Sequence, residues 1–218
     1  MALTQTPAPA RSDVRSGQHA TTPPPVDRPY LRHGTMLTVG AVAWAAMIAA
    51  FGFENDGPGG QYGHNAGALL FQLGVLALLR VLWRTNAIGD GRLARFVLRA
   101  ETVALSVAIV STLSDFFGIT NLDNPVSLAI DMFWPLSMLG MFLIGIRIAV
   151  AGRWKGLSRF YPMVAESWAV VTVPTLGILG PGVARWVGAA HLLVGYAVLG
   201  RIVARKTVPV DGTEPVEA

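Results

Sequence analysis

The sequence predicts an all-α protein: a polytopic transmembrane helical bundle of about six spans, with both termini cytoplasmic. Three observations predict it. Apolar runs recur along the chain, each close to the roughly 20 residues that a spanning helix needs. Clusters of Gly, Pro, Asn and Asp separate these runs. When the runs are threaded through a bilayer from a cytoplasmic N-terminus, every one of the 17 Lys and Arg residues except Arg185 falls on the inner side, as the positive-inside rule demands. Composition agrees. The chain is 52% hydrophobic and 14% charged, where soluble domains carry roughly 25% charged residues. That excludes a soluble globular domain or a coiled coil, and the absence of Cys excludes a disulfide scaffold or a thiolate metal site. The net charge of +4 is a topological signal, so no nucleic-acid partner is expected. Attraction to anionic lipid head groups is its secondary consequence.

Residues 1–32 read as a Pro-rich cytoplasmic tail. Pro, Ala, Thr, Ser and Arg dominate it, Pro23, Pro24 and Pro25 stand in a run, and almost no large apolar side chain is present to offset chain entropy. The tail should be disordered, and without an apolar stretch after Met1 it is not a secretory signal. Residues 33–206 carry the bundle, with spans at 34–53, 66–83, 96–119, 126–150, 161–179 and 183–200. The turn Gly180-Pro181-Gly182 is short enough to make the last two an antiparallel hairpin. Pro135 and Pro174 should kink the fourth and fifth spans. Residues 207–218 form a short polar C-terminal tail. No internal repeat is visible.

Function should show in the ionisable residues, because a charge in lipid is costly and needs a partner or a cavity. The inner layer holds Glu101, Glu166, Arg80, Arg99 and Arg147. Glu–Arg pairs between helices and snorkelling Arg stems are expected there. A basic pocket for a phosphate head group is the functional alternative. The outer layer holds Glu54, Asp56, Asp115, Asp123 and Asp131 against only Arg185 and His64. Glu54, Asp56 and Asp123 fall in loops. Of Asp115 and Asp131, one can pair with Arg185, and a carboxyl left without a cation is a candidate Brønsted acid or proton-path step. The structural alternative makes Asp115 a helix-end cap and Asp131, about one turn into the fourth span, an early-turn acid near a positive helix N-terminus.

In the third span, Glu101 and Asp115 share one helical face, about 21 Å apart along the axis. Ala104, Ala108, Ser111 and Thr112 lie between them, and Val103, Val107 and Val110 lie opposite. This small, polar stripe should face the bundle centre. Phe116, Phe117, Phe133 and Trp134 flank Asp115 and Asp131, and their faces can shelter a cation. Trp83, Trp154 and Tyr161 fit an inner interfacial belt. His191, mid-span beside Gly188 and Gly195, is either functional or the donor of one interhelical hydrogen bond. With no second His near it, a metal site is not supported. His64, near Gln61 and Asn65, reads as a polar lid or a solvated loop.

The candidate catalytic carboxyls are therefore Asp115, Asp131 and Glu101. The candidate substrate-binding side chains are Phe116, Phe117, Phe133, Trp134, His191 and Arg185. No cofactor and no metal site is read from the sequence. An acid at 115 or 131 set among these aromatic residues resembles the acid-plus-aromatics logic of small membrane-bound terpene cyclases of bacterial and fungal meroterpenoid pathways, which have a similar size and multi-span character. The resemblance runs over residues 34–206 in general character rather than through a motif. It implies a hydrophobic isoprenoid substrate in the bilayer, whose alkene or epoxide is protonated and whose carbocation is then steered. Two other classes remain open: a small transporter or proton-coupled permease using Asp115, Asp131 and His191 as relay groups, and a non-catalytic membrane subunit.

Overall fold

A chain in lipid has no water for its backbone to bond, so apolar runs must close their hydrogen bonds within helices. The computed structural model describes residues 28–53 and 59–206, and every regular element among them is helical. The residues read as tails, together with Glu54 and Asp56, lie mostly or wholly outside the described residues. Helix α1 covers Leu31–Phe51, α2 Gly60–Arg84 and α3 Arg92–Phe116. The next segment is α4 (Pro125–Asp131) and α5 (Phe133–Ala151). Then come α6 (Leu157–Glu166), α7 (Trp168–His191), a π-helical stretch Leu192–Ala197, and α8 (Val198–Ala204). Five helical segments are long and apolar enough to cross a membrane: α1, α2, α3, the α4–α5 segment, and the stretch Leu157–Ala204.

Local chemistry sets the interruptions. Asn124 caps α4, its side chain accepting from Val126 N at 2.9 Å with Pro125 in the first turn. Pro135 has no N–H to give the carbonyl of Asp131, and the helix is broken between them, at Met132. The 48 residues of Leu157–Ala204 would run about 72 Å as one straight helix, more than twice the roughly 30 Å of a hydrocarbon core. The chain instead reverses at Gly180, whose φ of 81° and ψ of 172° suit glycine. Cross-contacts fix the reversal as antiparallel. Tyr161 donates to the carbonyl of Val194, Trp168 Nε1 to that of Gly188 (2.9 Å), and Lys206 Nζ to Ser158 Oγ (3.3 Å).

The tightest pair is α1 with α2. Leu37, Ala41, Trp44 and Ile48 form one buried face of α1 against Phe71, Val75, Leu78 and Leu82 of α2. Two glycines permit this approach. A Cβ at Gly74 would stand 2.8 Å from Leu37 Cα, and one at Gly40 would strike the backbone of Leu70. The polar stripe of α3 does face inward: Glu101, Ala104, Ala108, Ser111 and Thr112 are buried, while Val103 and Val110 are exposed.

The end of the bundle that carries Arg80, Arg84 and Trp154 corrects two expectations. Trp154 is no belt residue. It is buried, donates from Nε1 to Thr85 Oγ1 at 3.0 Å and lies under Lys206 Nζ, thereby joining two loops to the end of α8. Nor do Glu–Arg pairs tie the helices, for the one ion pair among the described residues is Arg153–Asp90 at 3.0 Å, in the loops. That guanidinium holds the exposed Asp90 carboxyl below its usual range. Glu101 and Glu166 take hydroxyl partners instead.

Gly74→Val should lower the thermal unfolding midpoint of the detergent-solubilised protein, since the added side chain meets backbone and costs about 1–3 kcal/mol. Gly177→Ala, at a position with open space, should leave the midpoint within error. Equal midpoints for the two variants would refute the tight α1–α2 seam.

Candidate functional site

At the end of the bundle remote from Arg80, Arg84 and Arg99, the mouths of α1, α2, α3, α4–α5 and α7 surround a cavity of about 340 Å³. Its wall carries two carboxyls, Asp115 and Asp131, and three indoles, Trp44, Trp134 and Trp168. Phe53, His64, Asn65, Thr112 and Thr172 complete its polar and aromatic lining. The rings hold one another in place. Trp44 stacks on Phe71 with centroids 4.8 Å apart, lies 5.0 Å from Trp168, and meets Trp134 edge-on at 5.6 Å. Trp168 is anchored further by its hydrogen bond to Gly188. Ser111 Oγ is 3.1 Å from Asp131 Oδ1, fixing that carboxyl from α3.

Three polar atoms of the wall are buried without a partner among the described residues: Trp44 Nε1, His64 Nδ1 and Thr172 Oγ1. The wall contains no Lys or Arg. Arg185, expected beside an Asp, donates instead to the carbonyls of Ala49 and Ala50, among the last residues of α1. Those carbonyls have no intrahelical donor, and the end of α1 attracts a cation. Carboxyls facing aromatic rings, with no resident cation, can give a proton to an apolar guest and stabilise the positive charge that results.

The other candidate residues distribute as follows. Asp131 is the last residue of α4, two residues before α5 begins. Phe116 packs edge-on against Tyr62 and Phe117, and Phe117 is largely exposed. Phe116, Phe117, Phe133, His191 and Arg185 are absent from the cavity wall. His191 Nε2 lies 3.1 Å from Ser167 Oγ, across the hairpin, where the π-helical stretch begins. His64 belongs to the wall rather than to a solvated loop. The sequence reading missed Trp44, Trp168, Asn65 and Thr172. Trp44 and Trp168 carried a usable signal: an indole within an apolar run has no water for its N–H and must face protein.

Glu101 belongs to a deeper cluster. It is buried, accepts from Ser137 Oγ at 2.6 Å and presses on Gly140. Glu166, 1% exposed, accepts from the hydroxyl of Tyr196. A void of about 10 Å³, room for one water, lies among Gln72, Trp134, Ser137, Glu166 and Tyr196. Trp134 is part of both walls. Gln72 Nε2 donates to Thr112 Oγ1 at 2.8 Å, linking this void to the outer cavity.

No protein-family model, curated protein or solved structure matches this chain.

Tyr196→Phe removes the hydroxyl donor to Glu166 and should destabilise the protein by about 1–3 kcal/mol, the cost of an unpaired buried polar group. Adding Glu166→Gln to Tyr196→Phe should cost less than the sum of the single changes, read from unfolding midpoints. Strict additivity would show that the two side chains do not interact.

Proposed function

We propose that this protein is an integral membrane enzyme acting on a lipid-like isoprenoid, and that it starts cyclisation by protonating the substrate in the outer-end cavity. One observation carries the reading: two carboxyls and three indoles line a single cavity that has no cation in its wall. Asp131, held through Oδ1 by Ser111, delivers a proton from Oδ2 to an alkene or epoxide. The acid O–H breaks and a carboxylate remains; with an alkene a C–H bond forms as the π bond is consumed, with an epoxide an O–H bond forms as one ring C–O bond breaks, and in both cases positive charge develops on carbon. The faces of Trp44, Trp134 and Trp168 shelter that charge while the chain closes on itself. Loss of a proton from the cyclised cation to a carboxylate, either that of Asp131 or the second one on the wall, Asp115, restores neutrality, so the reaction is a redox-neutral isomerisation.

The same reading places six spans in the bilayer, the reversal at Gly180 making two of Leu157–Ala204, with both termini on the cytoplasmic side. The charge distribution supports it. A second reading, proton-coupled transport, draws on the void between Glu166 and Trp134, which continues the line of polar groups below the cavity. Flux into proteoliposomes that depends on a pH gradient, with no chemical change in the solute, would favour it.

Membranes containing the protein should convert a prenylated aromatic compound or its terminal epoxide into a cyclised isomer of unchanged mass or hydration state. Asp131→Asn should reduce turnover at least about 100-fold, the usual contribution of a general acid, with expression unaltered. Full turnover in both Asp131→Asn and Asp115→Asn would overturn the assignment.

Reporter domains fused to either end should be active only in the cytoplasm. Activity of one terminal fusion on the far side would exclude six spans.

A further inference from the structure

A second cavity, independent of the outer one, opens at the arginine-bearing end. Helices α1 and α3 both pack on α2 but hardly on each other, so the face of α2 between them is left as a groove of about 1010 Å³. Along α2 this face carries Leu73, Leu76, Ala77, Arg80, Trp83 and Arg84, spaced three and four apart as one helical stripe. Arg99, Thr102 and Val103 of α3 form one bank, and His33 and Met36 of α1 form the other.

The groove is graded. Its cations, Arg80, Arg84 and Arg99, stand towards the inner end, and its upper part is apolar. No carboxylate lines it, and none lies in ion-pair range of these arginines among the described residues. Glu101, although on α3, is turned towards Ser137 of α5. From Arg84 to Leu73 the groove runs about 16 Å along α2, the depth of one leaflet of a roughly 30 Å hydrocarbon core. Trp83 is partly exposed beside Arg99, whose guanidinium is 5.5 Å from the indole centroid, as suits a ring at the head-group level.

We propose that this groove is a binding site for one anionic phospholipid of the cytoplasmic leaflet. Its phosphate is held by Arg80, Arg84 and Arg99, and an acyl chain lies along Leu76, Leu73 and Val103. Three features select this occupant. The guanidinium forks match phosphate oxygens in pairs. Their charge is uncompensated within the groove. The apolar part continues from the cations along α2 towards mid-helix, the direction an acyl chain of that leaflet takes. Basic pockets between helices on the cytoplasmic side are suited to such head groups.

The test uses the full-length protein purified from mixed micelles of phosphatidylglycerol and phosphatidylcholine, with bound lipid measured by native mass spectrometry. Wild type should retain one phosphatidylglycerol in preference to phosphatidylcholine, by at least about tenfold. Arg80→Gln/Arg84→Gln/Arg99→Gln should lose that preference. Arg153→Gln/Arg159→Gln, which removes two cations of the same end outside the groove, should keep it. Leu73→Trp fills the groove from a partly exposed position without touching a charge, and should also release the lipid, so the proposal stays testable if the triple variant misfolds. Equal retention of the two lipids by wild type, retention unchanged in Leu73→Trp, or loss in the Arg153/Arg159 control would each overturn it. So would displacement of the lipid by an equimolar prenyl diphosphate, which would make the groove a site for that ligand instead. None of these outcomes depends on catalysis in the outer cavity.

Discussion

The approach of α1 to α2 sets the position of almost everything else. With Gly40 and Gly74 at the seam, backbone meets backbone, and the side chains that follow on each helix are committed to a narrow space. Trp44 falls one turn beyond Gly40, and its indole has nowhere to lie except across Phe71. From that position it faces Trp134 and Trp168 and becomes part of the cavity wall. In lipid, helices gain little from burying apolar surface against each other, so close packing of this kind is a main source of association. The seam is thus both the principal contact of the bundle and the support of the candidate site.

Much of the architecture was legible because the bilayer imposes simple rules. Helices long and apolar enough to cross a membrane, and turns at Gly and Pro between them, both follow from the cost of exposing polar groups to lipid. The inward stripe on α3 was readable for the same reason: Ala104, Ala108, Ser111 and Thr112 recur at helical spacing, opposite a row of valines. The hairpin at Gly180 followed from the glycines and proline alone, although only Gly180 leaves helical geometry there.

The site was legible in part. Asp115, Asp131 and Trp134 do share one cavity wall, yet neighbours in sequence such as Phe116, Phe117 and Phe133 are not on it. Adjacent residues on a helix point about 100° apart, so flanking an acid in sequence says little about facing it in space. The partners of the buried acids were unreadable for another reason. Opposite charge made Arg the obvious partner of Glu101 and Glu166, but each found a hydroxyl 30 or more residues away in sequence, on another helical segment whose register no local pattern fixes. Near the inner end a long Arg side chain can reach water, whereas a short Glu cannot. The arginines therefore snorkel outwards and the acids stay within.

That separation gives the two ends of the bundle different chemistry. At the outer end carboxyls face aromatic rings, and the one nearby guanidinium, Arg185, is occupied by the final carbonyls of α1. At the inner end three guanidiniums face an apolar groove and no carboxylate shares it. Had the acids and bases paired across the bundle, both cavities would be electrically quiet and each would have little affinity for a charged species. Kept apart, one end is suited to a guest that becomes positive and the other to a guest that is already negative. Buried Tyr196, Ser137 and Gln72 lie between them. Ser137 and Tyr196 each donate one neutral hydrogen bond, to Glu101 and to Glu166, without bringing an arginine into the core, while Gln72 donates to Thr112 and Glu166 Oε1 has no partner among the described residues.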